Sequence, residues 1–132
     1  AVVVTSPHIS AVRDAGRVIC LLDGMRLSEI DLLLNAYNAR MVRKHDMLSQ
    51  KDVEDILGLS AIGVIPADER IVVSQNKGIP VLSMHTKATR AFMTAARAFA
   101  NPRVIPVDLN KEDPCIRQGK IYLGGKECEY EG

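Results

Sequence analysis

Cysteine is scarce, and the three present, Cys20, Cys115 and Cys128, are an odd number at wide, irregular intervals, which speaks against a disulfide framework and against a zinc site. A reducing, cytoplasmic setting is the expectation. Net charge is almost absent too: seventeen Lys and Arg against sixteen Asp and Glu leave no field to attract nucleic acid or anionic lipid, and no local basic patch replaces it. Nucleic-acid binding is not expected. No apolar run approaches about 20 residues and no charged-then-apolar leader opens the chain, so neither a membrane span nor a signal peptide is expected. Internal repeats and low-complexity segments are lacking as well. What is there is a 132-residue chain, 47% hydrophobic and 25% charged, ordinary for one soluble domain with one core.

Short apolar runs alternate with amphipathic segments. Val2, Val3 and Val4 read as a strand buried on both faces, as in parallel sheets, and Pro7 stops any helical reading. Ser10 then caps a helix whose apolar stripe is Val12, Ala15, Ile19 and Leu22. A second buried strand, Ile30 to Asn35, ends in a polar residue, and a polar connection follows. Ser49 and Asp52 stand in capping-box register before a short helix that ends at Gly58. Ser60 to Pro66 is a third buried strand; Asp68 and Glu69 then open a helix closed by Lys77 and Gly78. The segment TKATRAFMTAARAFAN sets Ala88, Ala91, Phe92, Ala95 and Phe99 on one face and Lys87, Arg90, Thr94 and Arg97 on the other. This alternation predicts an α/β fold, a parallel sheet with flanking helices, whose ligand crevice lies beyond the carboxyl ends of the strands. From Pro106 the character changes to charge, glycine and proline, a divergent tail in which KIYLGGKECEY is a candidate hairpin about Gly124 and Gly125.

Four blocks, VVVTSPHISAVRDAGRV, LLLNAYNARMV, DMLSQKDVEDILGLSAIGVIPADERI and SQNKGIPV, closely resemble in order and spacing the carboxyl-terminal half of the MinD branch of the deviant P-loop (MinD/ParA) ATPases. The DMLS and QNKGIP blocks favour MinD over ParA. The likeness runs from Ala1 to about Arg103, so the expected organisation is residues 1–105 as half of an ATPase domain and 106–132 as tail. The resemblance implies a parent that binds ATP with Mg2+ and regulates division-septum placement. The family's glycine-rich phosphate loop precedes this region; within the 132 residues only GKIYLGGKE, Gly119 to Glu127, imitates it, without the G-x-x-x-x-G-K-[ST] register. The expectation is a fragment or truncated form that binds no nucleotide tightly and hydrolyses none alone.

The resemblance also assigns residues. Asn35 matches a position beside the adenine, and Pro66 and Asp68 match a loop that contacts the base from the other side; a carboxamide and a backbone carbonyl suit the donor and acceptor edges of a purine. Asn35 also has a plainer reading as a strand end, and Pro66 as a loop. Ala36 and Ala67 stand where the family often has arginine and glutamate. Asp14, Met47, Asp52 and Gly78 match a surface where MinC-like and MinE-like proteins dock, and an exposed methionine among carboxylates suits a basic amphipathic helix. Their plainer readings are a helix-surface charge, a core filler, a capping carboxylate and a helix-end glycine. At this face Gly16 replaces the family's usual aspartate. The tail lacks the family's lysine-bearing amphipathic helix, so membrane binding is not expected.

Three functions therefore compete: a MinD-like ATPase fragment, a non-catalytic interaction module keeping the MinC and MinE docking face, and, remotely, a ParA-like partition protein. Val2 to Val4 would otherwise present a bare strand edge, so self-association there is expected, with cover by the tail, KIYL being its most strand-like piece, as the less favoured alternative.

Overall fold

A computed structural model describes residues 1–101 and, as backbone alone, the strands Ile116–Arg117, Lys120–Leu123 and Lys126–Cys128. The main sheet has three parallel strands, β1 (Val2–Thr5), β2 (Asp31–Tyr37) and β3 (Ala61–Pro66), in the order β1-β2-β3. Val3 lies opposite Leu32 and Thr5 opposite Leu34, so these four side chains share one face. That face is covered by α1 (Ile9–Gly24) and α3 (Gln50–Leu57), and Val12, Leu32, Leu34, Val53 and Val64 close into one cluster there. The opposite face carries α5 (Lys87–Ala100), where Ile65, Ala88, Ala91 and Ala95 form a second cluster with Leu33, Ile71 and Phe92 against it. Two layers on a parallel sheet are what strands with apolar residues in successive positions demand.

Local chemistry explains most boundaries. The Ser49 hydroxyl accepts the Asp52 N–H at 3.1 Å while Asp52 Oδ2 accepts the Ser49 N–H at 2.8 Å, a reciprocal capping box that starts α3. Gly58 stops that helix at φ 68, and Gly78 stops α4 (Glu69–Lys77) at φ 63, conformations that cost a side-chain-bearing residue strain. Thr86 caps α5 by accepting the Thr89 N–H at 3.0 Å, and the Thr89 hydroxyl in turn donates to the carbonyls of Val81 and Met84. This ties the helix to the 3-10 turn Val81–Ser83 before it.

Several expectations need correction. β1 is buried on one face only, since Val2 and Val4 are exposed and α5 packs over β3 instead. Ser10 does not cap α1; the helix begins at Ile9, two residues earlier than that cap implies, with His8 at the N-cap and no side-chain cap bond. β2 continues past Asn35 to Tyr37, and the polar connection holds a short helix, α2 (Ala39–Arg43), capped by Asn38. Phe99 is exposed, and Ala98 takes the buried place on α5. The three short strands of the tail, β4 (Ile116–Arg117), β5 (Lys120–Leu123) and β6 (Lys126–Cys128), pair antiparallel with one another. KIYL is thus paired within that sheet and does not cover β1. Gly124, Gly125 and the rest of the tail lie outside the described residues.

Candidate functional site

The carboxyl ends of β2 and β3 meet at one edge of the sheet, where parallel α/β folds place ligands. β2 is irregular there: the pairing slips between Leu34 and Tyr37, and Ala36 adopts φ 55, a left-handed conformation that costs an L-residue about 1–2 kcal/mol. Asn35 Oδ1 accepts the Ala36 N–H at 2.9 Å, holding this exposed bulge in shape. The chain re-enters register at Tyr37 opposite Pro66, and the Tyr37 carbonyl accepts the Ala67 N–H at 2.9 Å. Asp68 then caps α4, its Oδ1 accepting the Arg70 N–H at 2.9 Å.

Beside this junction lies a shallow, open depression of about 420 Å3 lined by Pro66, Ala67, Asp68, Glu69, Arg70 and Lys87. Two of the three residues assigned to base recognition, Pro66 and Asp68, are in its wall. Asn35 stands at the end of the neighbouring strand but is not among the lining residues. Arg70 and Lys87 were not singled out from sequence. Arg70 reaches toward the loop before α5, its Nη1 lying 3.5 Å from the His85 carbonyl oxygen, and Lys87 is the first residue of that helix. Their signal was weak: one lies in the first turn after a cap, the other on a helix whose polar face looked merely solvated.

The residues assigned to partner docking divide between layers. Asp14 lies exposed on α1, in an ion pair with Arg17 at 3.1 Å. Met47 is half-buried before α3, its Sδ accepting the Asn38 N–H at 3.4 Å. Asp52 is exposed in the first turn of α3, where the Ser49 hydroxyl, then the Ser49 N–H, donate to its carboxylate and hold it below the ordinary 3.8. α1 and α3 pack side by side, with Leu57 Cδ2 3.5 Å from where a Cβ would stand on Gly16. Asp14 and Asp52 therefore belong to one helical layer, and Met47 stands in the connection that leads into α3. Gly78 is not in that layer: it ends α4, whose Ile71 packs into the cluster on the other face.

No metal-binding group of three His, Cys, Asp or Glu side chains occurs among the described residues, and no helix among them is long and apolar enough to cross a membrane.

No family model matches the chain. Individual proteins do. A protein described as a putative septum site-determining protein MinD from Mesostigma viride is 40% identical over 131 residues, 96% of this chain and 46% of its own length. Among solved structures, the MinC:MinD cell division protein complex of Aquifex aeolicus superposes with a TM-score of 0.77 at 34% identity, covering 82% of this chain and 45% of that one. The septum site-determining protein MinD of Pyrococcus horikoshii OT3, complexed with Mg-ADP, gives 0.67 at 27% identity over 77% and 41%. The chain thus spans less than half the length of the proteins it matches. Over that shared stretch, in sequence and in its three-stranded parallel sheet with helices on both faces, the chain is MinD-like, a relative of the MinD/ParA ATPases.

Proposed function

We propose that this chain is the carboxyl-terminal half of a MinD-like ATPase that takes part in division-septum placement, carrying the base-binding edge of the nucleotide site and a partner-docking layer. The observation that carries the reading is the junction of β2 and β3, where the Tyr37 carbonyl holds the Ala67 N–H and sets Pro66, Ala67 and Asp68 around the depression. The Pyrococcus horikoshii relative is solved in complex with Mg-ADP, and the residues here suit one end of such a ligand. Pro66 and Ala67 offer apolar cover for a purine, backbone groups of the loop offer donor and acceptor contacts, and Arg70 and Lys87 bring positive charge to the wall. When bound, the nucleotide supplies the phosphoanhydride whose hydrolysis drives the parent's cycle. The 132 residues hold no phosphate-loop motif, so the triphosphate finds no cradle of backbone amides and no lysine. We assign no hydrolytic step to these residues and no ligand to Mg2+.

The docking reading rests on Asp14 and Asp52 lying on the packed helices α1 and α3, with Met47 in the connection leading into α3, and on the Aquifex relative being solved as a complex with MinC. Two carboxylates beside a thioether suit a basic, amphipathic partner helix of the MinC or MinE type. Gly78, the fourth residue assigned to docking, stands at the end of α4, outside that layer.

Two assays test the proposal. Purified chain at micromolar concentration turns over no ATP above a no-protein control; turnover that persists through stringent purification overturns the inactive-alone reading. A peptide from the amino-terminal helix of MinE binds weakly, and Asp52→Lys abolishes that binding with the circular dichroism unchanged. Equal binding by the variant removes Asp52 from the surface.

A further inference from the structure

Near its carboxyl end β2 takes one residue more than β3 does. Leu34 lies opposite Val64 and Tyr37 opposite Pro66, so three steps on β2 answer two on β3, the count of a bulge. Because side chains alternate along a strand, one inserted residue turns everything after it to the other face. In an unbroken strand Tyr37 would point to the side of Leu33, toward α5. With the insertion it is buried in the cluster of Val12, Leu32 and Leu34, under α1 and α3. Its carbonyl meets the Ala67 N–H at 2.9 Å, the bond that opens the loop of Pro66, Ala67 and Asp68. The wall of the depression therefore depends on the extra residue in β2.

Such a bulge has to be held. Neither Asn35 nor Ala36 has an opposite residue on β1 or β3, so no ladder position fixes them, and both are exposed. Ala36 takes φ 55, a conformation that glycine adopts freely and alanine resists. The hold comes from the side chain before it: Asn35 Oδ1 accepts the Ala36 N–H at 2.9 Å. Asn35 itself is not among the residues that line the depression, whereas Pro66, Ala67 and Asp68 all are.

We infer that Asn35 is a positioning residue of the base site, acting through Ala36 and Tyr37 to hold the bulge that sets the Pro66, Ala67 and Asp68 wall, and that its carboxamide does not read the base. What the position requires is then an acceptor oxygen beside the Ala36 N–H. Aspartate meets that requirement and alanine does not. Glycine at position 36 removes the requirement, since it reaches φ 55 unaided. A carboxamide that read the base directly would show the reverse pattern: aspartate, lacking the amide nitrogen, would fail, and glycine at position 36 would restore nothing.

The inference rests on the base-binding reading above and names how one of its residues acts. The 15N-labelled chain is titrated with adenosine, whose lack of charge makes it insensitive to a nearby carboxylate, and Kd is read from the Ala67 and Asp68 amides. Wild type is compared with Asn35→Ala, Asn35→Asp and the double variant Asn35→Ala/Ala36→Gly, and exchange of the Ala67 amide is followed in the absence of ligand. Asn35→Ala should weaken adenosine about fivefold and speed Ala67 exchange by a similar factor, as the loss of one net hydrogen bond implies. Asn35→Asp and the double variant should stay within about twofold of wild type in both readouts, because the first keeps the bond and the second does without it. If Asn35→Ala alone loses its far-ultraviolet circular dichroism, the other two variants still decide. Weakening by Asn35→Asp, with no recovery in the double variant, overturns the inference and leaves the base site standing, and so does adenosine binding unchanged by Asn35→Ala. A wild type that binds no adenosine overturns the base-binding reading itself, and with it the role given to Asn35.

Discussion

Gly63, in the middle of β3, lies tightly against α5, and among the described glycines the substitution Gly63→Ala should cost the most. A Cβ built there falls 2.5 Å from the Ala95 Cβ, 3.2 Å from the Ala95 Cα and 3.1 Å from Leu33 Cδ1. Only the leucine can swing away. The other two atoms belong to α5, whose Ala88, Ala91, Ala95 and Ala98 already press against the sheet, so the whole helix must retreat and open contacts along its length. Overpacking of this kind costs about 1–3 kcal/mol, and a clash with backbone puts Gly63→Ala at the upper end. For a domain near 100 residues, about 3 kcal/mol lowers Tm by about 12–20 °C. Ala95→Gly alone costs about 1 kcal/mol of helix propensity. In the double variant the worst contact is gone, so the two losses should fall short of additive by about 1 kcal/mol or more. Urea denaturation followed at 222 nm measures all four corners of the cycle at one protein concentration. Strict additivity, or a loss below about 0.5 kcal/mol for Gly63→Ala, would refute the close approach of α5 to β3.

Ala36→Gly should stabilise the chain by about 1 kcal/mol, because φ 55 strains alanine and suits glycine; a loss of stability in the same denaturation assay counts against the bulge. Ser49→Ala should cost about 1 kcal/mol at neutral pH by removing one half of the capping box. Since the Asp52 carboxyl titrates lower folded than unfolded, its contribution is fully present above the unfolded value and is lost as pH falls through the folded one. The difference between wild type and Ser49→Ala should therefore shrink below about pH 4, and a difference that grows on acidification contradicts the assignment.

What could be read in advance was punctuation. Ser49 with Asp52, Gly58, Asp68, Gly78 and Asn101 mark helix ends by chemistry confined to a few neighbouring residues, and such rules survive whatever the rest of the chain does. The parallel sheet followed from three apolar runs separated by helical segments. Tertiary effects were less legible. Val2 and Val4 looked buried because a run of valines does not say which face will be covered. Phe99 looked like core because helical spacing cannot tell how far α5 extends past the sheet. The left-handed Ala36 had no signal in its residue type, since glycine or asparagine is the usual mark of that conformation. Around the depression, Pro66 and Asp68 were assigned through the resemblance of their loop, whereas Arg70 and Lys87 are brought to the same wall only by the fold. Gly78 was legible as a helix end from its residue type, and it closes α4 at φ 63.

The central claim, that the edge formed by β2 and β3 is the base-binding half of a nucleotide site, is tested most directly by nuclear magnetic resonance of the 15N-labelled chain titrated with ATP and, in parallel, with adenosine. The account predicts weak, saturable shifts for both ligands at the amides of Asn35, Ala36, Ala67, Asp68 and Arg70, with the α1 amides unmoved and ATP intact at the end of the titration. Shifts confined to other surfaces, shifts for ATP but none for adenosine, or no shift at millimolar ligand would contradict it.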